Sequence, residues 1–355
     1  MIWVISMSIE KKLIDELVTL QVFSEVRKSG AERMLYSAIQ AKPGIATGML
    51  IAGFGKKHPF AFELTNAGVI FKSMDGNAKG LFPLIRFAKL LISNKPDVIH
   101  IHIEQAFILL MAISRIINPR SRIVRTVHGD HRQKGLLYLR RRVMIYLAIR
   151  FLRVKWIACS SYIAEIESQA SGCKIDFIEN WTTVETPDYK KVLEIEQFIE
   201  LNMGFKPRLL LIGNCDRNKN HIEVTSNPSI LDNFIVIHIG STLAAEQNEI
   251  DSLSDPRIIS LDVESSIGYE LCDFVVVPSL KEAMSVVVLE SIVRGKRVLV
   301  TREWGAWWSS NFESKPSEIL PNYWVLERQK NIKQLRSRFS PMRGLEQYDK
   351  VYSGK

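Results

Sequence analysis

The stretch Val275-Val-Val-Pro-Ser-Leu-Lys-Glu282-Ala-Met-Ser285-Val-Val-Val-Leu-Glu290-Ser-Ile-Val-Arg-Gly295-Lys-Arg-Val-Leu-Val-Thr301 decides the fold class. Two short apolar runs, 274–277 and 298–301, are bounded by turn residues, the pattern of buried parallel strands. Between them lies a helical pattern, with Ser285 placed to cap its start and Gly295 to stop it. A helix that begins just past a strand end aims unpaired N–H groups and its positive dipole end at whatever sits there, which suits phosphate.

Two glutamates, Glu282 in the loop and Glu290 in the helix, punctuate the unit. Eight residues of helix span roughly 12 Å at about 1.5 Å each. Hydrolytic carboxylate pairs stand about 5 Å apart in retaining glycosidases and at most about 9.5 Å apart in inverting ones. The spacing therefore fits two contacts to different parts of one long ligand better than an acid/base pair on one bond. On this stretch alone, a generic strand-helix-strand unit with two incidental glutamates remains the plain alternative.

Upstream, strands are predicted at 17–24, 49–54, 68–71, 95–102, 121–130, 155–160 and 177–180, with helices at 33–41, 81–93 and 105–118 among them. Strands alternating with helices define a doubly wound parallel sheet, which binds ligands at the C-terminal ends of its strands. His100, His102, His128, Ser160 and Asn180 occupy such ends. Residues 182–206, with Pro187 and a charged amphipathic helix, read as a connection. A second α/β series then starts at Arg208-Leu-Leu-Leu-Ile-Gly213, continues at 234–240 and 257–261, and ends in the opening stretch. The expected organisation is residues 1–181, a linker at 182–206, a second domain at 207–330 and a helical tail at 331–355. Two Rossmann-like domains imply a ligand cleft between them.

The 355 residues suffice for two domains of ordinary size, and 46% hydrophobic content is that of a globular chain. The four cysteines, Cys159, Cys173, Cys215 and Cys272, include no C-x-x-C. That argues against a zinc ribbon or disulfide scaffold and suits a reducing cytosol. Beyond the His100/His102 pair no cluster has metal-site spacing, and no metal is expected. The apolar residues 1–8 lack a basic leader region, and the longest later apolar run, 106–113, is far too short to span a bilayer.

A net charge of +9 is concentrated around Arg115 to Arg153, including Arg140-Arg-Arg142 and the apolar run behind it. Two readings stay open: a helix lying on anionic lipid, or one packed on a sheet with a solvated basic face. No nucleic-acid module is visible, and nucleic acid is not an expected partner.

Taken together, these motifs resemble the retaining GT-B glycosyltransferases of family 4. Glu282, Glu290, Gly295, Lys296 and Val298 match the family's C-terminal signature. Ser29-Gly-Ala-Glu32, Pro96-Asp-Val-Ile-His100, Thr126-Val-His128-Gly129, Cys159-Ser160 with Asn180, and Gly213 with Lys219-Asn-His221 follow the family's order. The resemblance implies an α/β GT-B fold, two Rossmann-like doubly wound domains facing a central cleft, and transfer of a sugar from a nucleotide-sugar donor with retention.

It also implies roles. Glu290 would bind the ribose hydroxyls. Lys219 would neutralise the diphosphate, helped by the N–H groups of Ser285, Val286 and Val287, with no cofactor and no metal. Glu282 would address the donor sugar and His128 would hydrogen-bond it, while Gly30 would let backbone approach the phosphates. Family members carry Arg where Asn214 stands, so Arg217 is a candidate substitute. The expected acceptor is a saccharide or a lipid-linked polysaccharide or lipopolysaccharide precursor, at the inner face of the cytoplasmic membrane. The alternatives are a nucleotide-sugar epimerase of the same fold and a degenerate binding scaffold.

Overall fold

The computed structural model describes residues 16–131, 135–240 and 247–354, so the expectation on residues 1–8 lies outside the described residues. The chain divides into two compact units, Met1–Asn180 with Pro341–Lys355, and Trp181–Ser340.

In the first unit seven strands form one parallel sheet: β1 (Thr19–Phe23), β2 (Met49–Gly53), β3 (Ile70–Ser73), β4 (Val98–Ile101), β5 (Arg122–Val127), β6 (Lys155–Ala158) and β7 (Asp176–Phe177). Their order is β3-β2-β1-β4-β5-β6-β7. Both faces of a parallel sheet are covered by crossover helices, so its central strands need apolar residues on both sides. β1, β2 and β4 are accordingly buried along their whole length. The expected strand at 177–180 is only the two-residue β7, ahead of an irregular segment.

The second unit repeats the plan with β8 (Arg208–Ile212), β9 (Ile235–Ile239), β10 (Ile258–Leu261), β11 (Phe274–Val277) and β12 (Arg297–Thr301), all parallel. β13 (Ser314–Pro316) and β14 (Tyr323–Leu326) extend it antiparallel, giving the order β10-β9-β8-β11-β12-β14-β13. Neither was anticipated from sequence. Pro316 lies in β13, at the sheet edge where a missing N–H costs no ladder bond. Leu209, Leu211, Val236, Val276 and Leu299 form the core of this unit.

The helix of the opening stretch runs Val286–Val293 and closes on Gly295, whose φ of +72° favours glycine. A side chain there would also meet Ile332 at 2.7 Å. Of the segment expected as a tail, Ile332–Arg338 belongs to the second unit, whereas the helix Pro341–Ser353 belongs to the first. The connecting segment carries the helix Tyr189–Met203, capped by the Asp188 side chain and grouped with the second unit. No described helix is long and apolar enough to cross a membrane.

Candidate functional site

In doubly wound sheets a crevice opens at the C-terminal ends of the strands where chain order reverses. In the second unit that point lies between β8 and β11. The loop after β8 is shaped by Asp216, whose Oδ1 accepts from the N–H groups of Asn218 (2.9 Å) and Lys219 (3.1 Å). It is tied to the loop after β11 by Leu280 N–H donating to Asn218 O (2.7 Å), and by Asn218 and Asn220 side chains donating to Lys281 O and Pro278 O.

These ties bring Lys219 Nζ to 2.6 Å from Glu282 Oε1, with side chains 26% and 13% exposed. An ammonium has three N–H donors, so one partner leaves capacity for a second anion. Gly213 and Gly240 let the chain crowd together just past the ends of β8 and β9: a side chain on Gly240 would lie 1.8 Å from Gly213 O.

Ser285 takes the N-cap position of Val286–Val293 in extended conformation, but its hydroxyl makes no capping bond to the helix. The first intrahelical bond at this end is Leu289 N–H to Ser285 O (3.1 Å), so the earlier N–H groups of the first turn are not used by the helix. Val286 and Val287 are half-buried there. Glu290, 4% exposed, lies one turn further in and accepts from Tyr269 OH at 2.8 Å. Tyr269 is itself fully buried and covered by the Arg294 guanidinium at 5.0 Å.

In the first unit the equivalent reversal lies between β1 and β4. There a chain of neutral polar groups replaces the charged pair. Gln21 Nε2 donates to Tyr352 OH (3.3 Å), and Gln21 Oε1 faces His102 Nε2 (2.9 Å). His102 Nδ1 lies 2.8 Å from His128 Nε2, and Phe23 stacks on the His102 ring at 4.4 Å.

An amide oxygen only accepts, so the His102 proton sits on Nε2 and its Nδ1 accepts from His128 Nε2–H. The other nitrogen of His128, Nδ1, is thereby left as an acceptor. On the second branch, Tyr352 OH receives from Gln21 and donates to His100 Nδ1 (2.6 Å). His100 Nε2–H then donates to Thr126 Oγ1 (2.8 Å), which shares a 2.7 Å bond with Tyr348 OH.

Electrostatics agree with uncharged rings. Burial, reinforced by Arg125 and then His131, brings His128 down to about 4. Burial also holds His100 and His102 well below the usual histidine value. Arg125, 1% exposed, packs between Phe107 and Trp156 and pairs with Glu104, to which Arg141 and His131 also turn.

The structure thus groups Lys219, Glu282, Ser285, Val286, Val287 and Glu290 along the C-terminal edge of the second unit's sheet, past the central strands β8 and β11. Arg217 and Asn214 are exposed on the loop after β8 and join no described contact to Glu282. Gly30 is an exposed residue at the start of the helix Gly30–Ala41, where Glu32 accepts from the Ser29 hydroxyl. His128 lies in the first unit with Gln21 and His102. Sequence reasoning missed Gln21 and Tyr269. Both sit in apolar strand or helix patterns where only a three-dimensional neighbour reveals a role.

Residues 40–185 match the sequence profile described as Glycosyltransferase Family 4. No curated protein matches the chain by sequence. Among solved structures, a glycosyltransferase from Rickettsia africae aligns with a TM-score of 0.68 and 17% identity, over 95% of this chain and 98% of that one. HepE of Anabaena, solved in complex with UDP and glucose, aligns at 0.68 and 16% identity, over 94% and 95%. Sucrose-phosphate synthase of Thermosynechococcus elongatus aligns at 0.59 and 12%, over 94% of each chain. The chain therefore has the two-sheet fold of the GT-B glycosyltransferases and, within its first unit and just beyond, a Glycosyltransferase Family 4 segment.

Proposed function

We propose that this protein is a retaining glycosyltransferase whose second unit holds a nucleotide-sugar donor. The observation that carries the reading is the Lys219–Glu282 pair beside the start of Val286–Val293, with buried Glu290 one turn behind it. In this reading Glu290, held by Tyr269, accepts the ribose hydroxyls. Lys219 and the free N–H groups of the first turn stabilise the departing diphosphate, an electrostatic term fixed before reaction, with no divalent cation needed there. Glu282, held by Lys219, receives a hydroxyl of the transferred sugar, and His128 Nδ1 accepts from another. HepE, solved with UDP and with UDP-glucose, supports a UDP-sugar as the donor class.

Glu104 is occupied by Arg125, Arg141 and His131, which makes it a poor nucleophile. This supports front-face attack by the acceptor, with the leaving phosphate taking the acceptor's proton, and hence retention. The acceptor is proposed to be a lipid-linked saccharide. The helix Gly135–Arg150 buries Arg141, Ile145 and Ala148 and turns outward Leu136, Leu137, Leu139, Val143 and Tyr146, interspersed with Arg140, Arg142 and Arg150. Exposed apolar side chains interleaved with arginines suit the interface of an anionic membrane better than bulk water, each cation contributing about 1 kcal/mol. A hollow of about 400 Å³, lined by Lys79, Leu109, Leu137 and Arg140 among others, adjoins this helix.

A donor screen that reads nucleoside diphosphate release, with and without lipid-linked acceptors, tests the proposal. Acceptor-dependent release and an axial or equatorial linkage matching the donor's anomer are expected, with no stimulation by Mg2+ or Mn2+. Release that never depends on an acceptor, or an inverted linkage, would overturn it.

A further inference from the structure

We propose that Cys215, His221 and His238 form a binding site for one divalent transition-metal ion of the zinc class. This site is independent of the transferase reading. The three residues are scattered as C-x5-H-x16-H, a spacing that no sequence pattern flags, yet the fold gathers them. Cys215 lies in the loop after β8, His221 at that loop's end, and His238 within β9. Each is at most 1% exposed, and their ligand atoms all lie within 4.8 Å of one another. Among the described residues it is the cluster of cysteine, histidine and carboxylate groups that could hold an ion.

Cys215 Sγ and His238 Nε2 are 3.6 Å apart. A tetrahedral ion with sulfur at about 2.3 Å and nitrogen at about 2.0–2.1 Å sets its two ligands about 3.6 Å apart. The imidazoles of His221 and His238 meet edge to face, centroids 5.2 Å apart. Their ligand atoms need only a small approach.

The decisive feature is His221. Its Nδ1 is fully buried and has no hydrogen-bond partner. An orphaned buried polar atom calls for an explanation, and an ion beside Cys215 and His238 supplies one here. His238 is already oriented as a metal-bound imidazole would be: with Nε2 turned to the cluster, Nδ1 faces Ser260 Oγ at 3.5 Å, the arrangement in which an outer hydroxyl steadies a coordinating ring. One thiolate with two imidazoles selects zinc over magnesium or calcium. Three protein ligands leave a fourth position, for water or for the Gly213 carbonyl, which lies 3.3 Å from His238 Nε2.

The ion's role would be to pin the loop after β8 to β9. Cys215 and His221 flank Lys219 in that loop, so the ion would brace the lysine without touching substrate.

The test uses the full chain, stripped with a chelator and titrated with Co2+ alone. One cobalt per chain is expected, with a thiolate-to-metal charge-transfer band in the near ultraviolet and strong tetrahedral visible bands. Zn2+ should then displace the cobalt and raise Tm. Cys215→Ser, near-isosteric, should lose the charge-transfer band, and His238→Asn should weaken binding at least about tenfold, by the scale of lost metal-site partners. If His238→Asn fails to fold, His221→Gln serves in its place. X-ray absorption on the wild-type cobalt form should independently report one sulfur and two nitrogens. Absence of stoichiometric binding, a spectrum without sulfur, or an unchanged spectrum in Cys215→Ser would overturn the assignment.

Discussion

In each sheet the chain order reverses between two central strands, β1 and β4 in the first unit, β8 and β11 in the second. At the second reversal stand an ammonium and a carboxylate 2.6 Å apart, beside a helix start with unused N–H groups. At the first stand three histidines, an amide, a threonine and two tyrosines, linked by hydrogen bonds with no charge among them. One topology thus presents two chemistries. The charged edge can neutralise an anion, whereas the neutral edge can only orient hydroxyl groups. If the second unit holds the diphosphate and the first supplies hydrogen bonds to sugar, variants at the two edges must fail in different ways.

The largest failure is expected for Lys219→Ala. It removes the cation facing the leaving group and strands Glu282, and turnover should fall about 10²–10³-fold. Steady-state rates at saturating donor would show it. Glu290→Gln follows: loss of a charged acceptor for two hydroxyls should weaken donor binding about 10–100-fold, by the worth of charge-assisted hydrogen bonds. Because Tyr269 OH still finds an oxygen on the glutamine, its circular dichroism and Tm should stay near wild type.

The neutral edge should announce itself through acid lability. Histidines whose folded value lies below the ordinary 6.5, with His128 at about 4, take up protons more readily once unfolded. Stability is therefore full above about 6.5 and drains away as pH falls toward 4. The slope approaches about 1.4 kcal/mol per pH unit for each such group. Denaturant midpoints between pH 7.5 and 5 would reveal this, and a flat profile would mean the rings titrate in the fold as they do in the unfolded chain.

Smaller again is His128→Ala, expected to weaken the intact nucleotide-sugar about tenfold at most, the worth of one neutral hydrogen bond. Gln21→Leu should cost less than that, since the ring remains but its proton is no longer directed. Nitrogen-15 NMR of the imidazoles would show His128 protonated on Nε2 in the wild type and a mixture in Gln21→Leu. A wild-type ring protonated on Nδ1 would reverse the hydrogen-bond direction derived from the Gln21 amide.

Much of the fold was legible because both halves announce it with short apolar runs and glycine stops. Phe274 to Val277 and Leu209 to Leu211 admit few readings besides buried strands. The charged edge was legible too, since Glu282, Glu290 and Lys219 lie in loops or near a helix start where polar residues stand out. The neutral edge was only half visible. His128 and His102 stand out at strand ends, but Gln21 sits inside a fully buried strand, and Tyr348 and Tyr352 come from a helix more than two hundred residues away. Periodicity records which face a residue takes, not which distant partner meets it. The same blindness hid Cys215 and His238, each a single polar residue in or beside an apolar strand. The helix Pro341–Ser353 reads from sequence as a tail for a related reason: nothing local says that its tyrosine hydroxyls complete the hydrogen bonds of His100 and Thr126.

In the proposed reading, nucleoside diphosphate recognition belongs to the charged edge alone. Titration calorimetry of UDP against the full chain and its Lys219→Ala, Glu290→Gln and His128→Ala variants tests it most directly. The first two variants should lose at least about tenfold in affinity, on the scale of charge-assisted hydrogen bonds, while His128→Ala should bind UDP like the wild type. Equal affinities in all four proteins, or a loss confined to His128→Ala, would contradict it.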